Sequence, residues 1–218
     1  MTEAILGRSE LAPSPPISIA HLLHAHSSAY VESVLNGTLG PKEQRRIGLP
    51  WSATLARRSR ATVGGSLAAA RDAMNEGVSG QLAGGTHHAH RDFGSGYCVF
   101  NDLAVAALTL LAESAVERVA ILDLDVHQGD GNAAILAGNP ATFVASLHGD
   151  KNFPFRKVAS DLDIALDDGT EDAAYLTAVG EACDAVAAFR PDLLLYLAGV
   201  DPLAAVAGVA EPTWRSAS

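Results

Sequence analysis

The chain has 218 residues, 48% of them hydrophobic, and a mean hydropathy of +0.16, enough for one well-buried domain and too little for two large ones. Twenty-five acidic residues against 15 basic ones give a net charge of −10, and the basic cluster Arg57-Arg58-Ser59-Arg60 reads as the solvated face of a helix, so nucleic acid and anionic membrane are excluded as partners. Cys98 and Cys183 lie far apart with no CxxC pair, and neither a signal peptide nor an apolar run of about 18 residues is present, which points to a reducing, cytoplasmic setting without a membrane span.

Residues 1–16 read as an irregular lead-in, because Pro13, Pro15 and Pro16 remove backbone donors and fix φ. IAHLLHAHSSAYVESVL then spaces Ile19, Leu22, Leu23, Tyr30, Val34 and Leu35 at helical intervals, and a second helix is predicted over Ser52–Asn75, bracketed by Pro50 and Gly77. From Gly80 the pattern changes. QLAGG, RVAILDLD, ATFVASLH and DLLLYLAG are short apolar runs suited to strands buried on both faces. NDLAVAALTLLAESAV, GNAAILAG and EDAAYLTAVGEACDAVAAF supply the intervening helices that parallel strands need. The expected fold is α/β and doubly wound, without internal repeats.

Ligand sites in such sheets lie beyond the carboxyl ends of the strands. There QLAGG runs into Thr86-His87-His88, AILDLD into Val126-His127, and LLLYLAG into Val200-Asp201. In DLDVHQGDG, extended backbone would point Asp123, Asp125 and His127 to one side. A carboxylate and an imidazole on that face can grip one ion, and with Asp201 the set becomes two oxygen ligands and one nitrogen ligand, leaving a fourth position open as a catalytic zinc site requires; Fe2+ suits the same donors. The plainer readings are that Asp123 and Asp125 cap the following helix and that Asp201 before Pro202 forms a turn. Carboxylates at the end of an apolar strand are, however, costly to bury without a cation or partner. A phosphate-binding protein using DxD with Mg2+ fits less well, because the histidines favour a softer ion. His24 and His26, at i and i+2 on a helix with no acidic companion, are expected to be ordinary, partly exposed side chains, and His90 to belong to loop structure.

GGTHHAHRDFGSGYCVFND, DLDVHQGDG and LAGVD, in that order, resemble the zinc-dependent histone deacetylase family and its bacterial acetylpolyamine and acetoin-utilisation relatives. HSSAYVESVLNG, RRIGLPWS, VGGSLAAARDAM and SLHGDKNFPFRK are most similar to its short class IV branch. The resemblance implies a three-layer αβα, arginase/deacetylase-like fold with a parallel sheet, incomplete here, over residues 17–205. It implies Zn2+ held by Asp125, His127 and Asp201. It also implies that His87 and His88 handle protons, His88 as the preferred base, with Asp123 and Asp130 as the carboxylates behind them. A structural K+ would sit mostly on backbone carbonyls of Asp123, Asp125, His127, Ser146 and Leu147. Gly96, Tyr97 and Phe153 would line a tunnel for an acyl-lysine protein or an acylated small amine, although core packing explains Tyr97 and Phe153 equally well.

Two expectations follow where the chain departs from the family's pattern. Its first strand is missing, and residues 204–218 form an atypical tail, read as a frame change or a fragment end, without the GGY tyrosine that donates to the developing oxyanion. Neither Tyr175 nor Tyr196 sits in a context that replaces it. The exposed sheet edge would then favour pairing with another chain. The chain is expected to be an amide-cleaving deacetylase, the alternative being a metal-binding remnant with impaired turnover.

Overall fold

The structure is a computed structural model that describes residues 11–199; the tail, Asp201 and the C-terminal end of the expected domain lie outside the described residues. Four parallel strands form its sheet: β1 (Val119–Asp123), β2 (Thr142–Gly149), β3 (Leu162–Leu166) and β4 (Leu193–Leu197), in the order β3-β2-β1-β4. One layer against it holds α1 (Ile19–Ala25), α2 (Ser28–Asn36), α3 (Pro41–Ile47), α4 (Ala53–Glu76), α5 (Asp102–Ala112) and α6 (Asp130–Leu136); α7 (Asp172–Phe189) covers the opposite face.

The central strand β1 explains the layering. All five of its residues are buried, and they alternate between two cores. Val119 and Ile121 meet Val63, Leu67, Leu103 and Leu110 on the side of α4 and α5. Ala120 and Leu122 meet Ala178, Ala182 and Val186 of α7. A strand with two apolar faces needs helices above and below, which gives the α/β, three-layer architecture expected from the sequence.

Two local expectations are corrected, and two short elements are added. The long helix over residues 19–35 is two helices, because His26 leaves helical geometry at φ −115°, ψ 151° and Ser27 begins a new N-terminus. QLAGG is not a strand: Gly85 sits at φ +84°, and the N–H groups of Gly85 and Thr86 bond to the Asp102 carboxylate rather than to a neighbouring strand. The short α3 and β3 were not foreseen.

His26 is also not partly exposed; only 1% of it is accessible. Its Nδ1 donates to the His90 carbonyl (2.9 Å) and its Nε2 accepts from the Asn101 N–H (2.9 Å), tying the end of α1 to the histidine loop and to the start of α5. Those partners demand the neutral ring, and burial, opposed in part by the His90 and Arg91 carbonyls, drives its pKa from 6.5 to about 4. The unfolded chain therefore binds the extra proton first. Stability contributed by neutral His26 is complete above pH 6.5 and is lost as pH falls toward about 4, on the order of 3 kcal/mol in all. Urea unfolding across that window should show His26→Gln with a shallower pH dependence than the parent chain; parallel slopes would contradict the assignment.

Candidate active site

The loop between α4 and α5 carries the tandem histidines, and Asp102 holds its start. This carboxylate is 0% exposed. One oxygen accepts from the Thr86 N–H and hydroxyl (2.7 Å each), the other from the Gly85 N–H (3.0 Å) and the Ser66 hydroxyl (2.6 Å). The glycine pair serves this grip, since a Cβ on Gly84 would stand 2.7 Å from Asp102 Oδ2. Sequence reasoning missed Asp102; the signal was FND at a helix start, where Asn101 caps the Ala104 N–H (2.8 Å) and Asp102 occupies the first turn.

His87 and His88 are both buried, with ring centroids 4.1 Å apart. His87 Nδ1 donates to Asp123 Oδ2 (2.7 Å) at the end of β1, and His88 Nδ1 donates to Asp130 Oδ1 (2.7 Å) in the first turn of α6. The helix is pressed against the same loop: the Gly131 and Asn132 N–H groups donate to the His87 carbonyl (2.9 and 3.2 Å). His90, expected only as loop structure, reaches the same carboxylate, its Nε2 lying 3.0 Å from Asp130 Oδ2.

The two histidines differ electrostatically. Burial opposes charge on His87, but Asp123 by charge and hydrogen bond, helped by Asp125 and Asp130, outweighs it and raises the pKa to about 9. Burial lowers that of His88, and with the charges of His87 and His127 added it exceeds what the hydrogen bond and charge of Asp130 return. Burial also opposes ionisation of Asp130, yet hydrogen bonds from His88 and His90 bring it down to about 2. At neutral pH His87 is thus a cation with a proton to give, and His88 a neutral ring with Nε2 as acceptor.

β1 ends at Asp123, so Asp123, Asp125 and His127 do not continue one extended face as expected. Instead the chain bends, and Asp125 Oδ1 accepts from both the His127 N–H and His127 Nδ1 (2.8 Å each). Asp123 faces His87 alone among these, while Asp125 and His127, both partly exposed, face each other 5.9 Å from the His88 ring (centroid to centroid, His88 to His127). The β4 exit runs beside them, for a Cβ on Gly199 would lie 2.3 Å from Asp125 Oδ2. One carboxylate oxygen and one imidazole nitrogen converging beside a close backbone suit a borderline divalent ion. Among the described residues no group of three His, Cys, Asp or Glu could hold a metal, and Asp201, two positions past Gly199, lies outside them.

The remaining expected residues fall around this centre. Asp123 pairs in register with Ser146, which is buried with Leu147 on β2, and Ser146 Oγ meets His148 Nδ1 (3.1 Å). The Phe153 ring stands edge-on to His88 at 4.8 Å. A Cβ on Gly96, at φ +51°, would stand 2.6 Å from His88 Cδ2 and 3.0 Å from Phe153, so glycine is required there twice over. Tyr97 follows at φ +63° and is 71% exposed, which disposes of core packing for that residue.

The histone deacetylase domain family matches residues 1–206. The chain belongs to the histone deacetylase family. An uncharacterized protein of Picosynechococcus is 46% identical over 177 residues, covering 81% of this chain and 59% of its own length. Histone deacetylase 2 of Arabidopsis thaliana is 31% identical over 148 residues, covering 66% and 38%. The crystal structure of an HDAC homolog complexed with SAHA superposes with a TM-score of 0.78 at 25% identity, covering 92% of this chain and 61% of that one. The chain therefore spans about 60% or less of these relatives. Within the described residues no helix is long and apolar enough to cross a membrane.

Removing the Asp102 charge tests the grip on the loop. Asp102→Asn turns an amide N–H toward existing donors and leaves about two of them unsatisfied, so chemical denaturation should show a loss of roughly 2–4 kcal/mol. A loss under about 0.5 kcal/mol, the range of ordinary surface substitutions, would mean that the loop is held by something else.

Proposed function

We propose that this chain is the catalytic portion of a zinc-dependent deacetylase that hydrolyses acyl-lysine side chains or small acylated amines in the cytoplasm. The observation that carries the proposal is the pair of adjacent buried histidines, each braced at Nδ1 by a different carboxylate, beside the Asp125–His127 pair. Asp125 and His127, with Asp201, would hold the ion, and a bound zinc would polarise the acyl carbonyl and lower the pKa of water toward ~7. A K+ near Asp123, Asp125, His127, Ser146 and Leu147 would brace the strand ends.

The protein's own groups do the rest. Asp130 fixes the His88 proton on Nδ1, which leaves Nε2 to take a proton from the attacking water. Asp123 holds Nδ1 of His87 and keeps that ring cationic, so its Nε2 proton is available to the departing amine. Phe153 and the Gly96 turn wall His88 and limit water around it. Hydrolysis returns a carboxylic acid and a free amine, and no covalent intermediate is required.

Metal analysis of the purified chain should find one zinc, lost in Asp125→Ala and His127→Ala. Hydrolysis of a fluorogenic acyl-lysine peptide should be sensitive to SAHA, the compound bound by the structurally similar homolog. His88→Ala should keep the zinc and lower kcat by about 10²–10⁴. Zinc without SAHA-sensitive turnover would reject the enzyme and favour the metal-binding remnant; a chain that takes up no zinc would reject both.

A further inference from the structure

Phe155 is 90% accessible, more than any other large hydrophobic side chain among the described residues. A single exposed apolar side chain needs no explanation by itself. This one stands on a segment held at both ends. Asn152 and Pro154 are buried, the Asn152 N–H donates to the Gly149 carbonyl (3.2 Å), and Lys157 Nζ donates to the carbonyls of Asn152 and Pro154. Val158 is then locked to Gln128 by two hydrogen bonds, 2.8 and 2.9 Å. The phenyl ring is thus displayed by a fixed loop.

Its position relative to the proton-handling histidines gives that display a direction. Phe153 touches His88 edge-on at 4.8 Å, and Phe155 stands edge-on to Phe153 at 6.3 Å, so an aromatic path leads outward from His88. The Gly96 turn packs on both His88 and Phe153 and presents Tyr97, whose positive φ is unfavourable for a side chain of that size. That turn is pinned by Tyr97 N–H to the Ile47 carbonyl (2.7 Å) and by Gly96 N–H to the Arg46 carbonyl (3.3 Å).

Charge on the same loop discriminates among ligands. Residues 150–157, DKNFPFRK, carry Lys151, Arg156 and Lys157 against Asp150 alone, and Lys151 is only loosely paired with Asp168 (3.8 Å). An acylated polyamine brings further ammonium groups to this rim and meets like charge. An acyl-lysine inside a peptide brings a backbone and a neighbouring side chain.

Resting on the function proposed above, we propose that Phe155, together with Tyr97, forms an aromatic rim that holds the residue next to an acylated lysine, so that the substrate is an acyl-lysine in an apolar peptide context and not an acylated polyamine. The rim acts on the part of the substrate outside the tunnel and takes no part in bond breaking.

Three probes test it on the full chain loaded with zinc, their dissociation constants read by calorimetry. They are an Nε-acetyl-lysine peptide flanked by leucine, the same peptide flanked by glycine, and an N-acetylated triamine. The leucine-flanked peptide should bind about 5- to 20-fold more tightly than the glycine-flanked one, the range that burial of one aliphatic side chain against an aromatic ring supplies. Phe155→Ala should bring that ratio close to one, and Phe155→Leu should restore part of it. A ratio unchanged in Phe155→Ala, or triamine binding as tight as that of the leucine-flanked peptide, overturns the rim while leaving the deacetylase reading in place. Failure of the parent chain to bind any of the three overturns both.

Discussion

The grip of Asp102 on the glycine-rich loop is the constraint from which the rest of the site follows. A buried carboxylate must be compensated, and among the described contacts this one is compensated wholly by hydrogen bonds: two backbone N–H groups and two hydroxyls. Its location in the first turn of α5 adds the favourable end of the helix dipole. The segment before His87 therefore gets its backbone partners from a side chain and not from a strand. It can turn sharply at Gly85 and deliver two consecutive side chains to the ends of β1 and α6.

Consecutive histidines on a turn would ordinarily behave alike. Here their carboxylates differ in how fully each is committed. Asp123, on a central strand, serves His87 among the histidines, while Asp130 divides its two oxygens between His88 and His90. Burial penalises charge on both rings, and once His87 is charged, a second cation 4.1 Å away is opposed directly. The asymmetry that the proposed acid and base roles need thus follows from connectivity and requires no exotic environment.

How much of this was legible depends on where the determining contact lies. β1, β2, β4, α4 and α7 were readable because their apolar periodicity is written in contiguous residues, and the ordered motifs located His87, His88, Asp123 and Asp130 together. β3 escaped because it is half-buried: LDIAL alternates between partly buried and exposed positions, a pattern weak over five residues and set among aspartates. QLAGG looked like a strand because composition cannot show that a carboxylate 17 residues after Gly85 takes the N–H groups of Gly85 and Thr86. His26 looked idle for the same reason: its partners, His90 and Asn101, are 64 and 75 residues away. The resemblance in the FND segment was visible, but its physical role was not, since that role belongs to a fold in which α4, the loop and α5 already meet.

The two halves of the site are organised to different degrees, and the reason is burial. The histidine half lies inside: Asp123, Asp130, His87 and His88 are buried, and their geometry is fixed by strand, helix and loop contacts formed on folding. The Asp125–His127 half lies past the end of β1 on bent chain, is partly exposed, and closes on itself through one carboxylate oxygen. Energy for orienting the histidines is thus supplied by the core, whereas Asp125 and His127 lie past the strand end against the chain leaving β4, where an ion, in the function proposed above, would share in setting their geometry. In the function proposed above, a preorganised acid–base pair and an ion site would lie side by side because one is built from the sheet's interior and the other from its carboxyl edge.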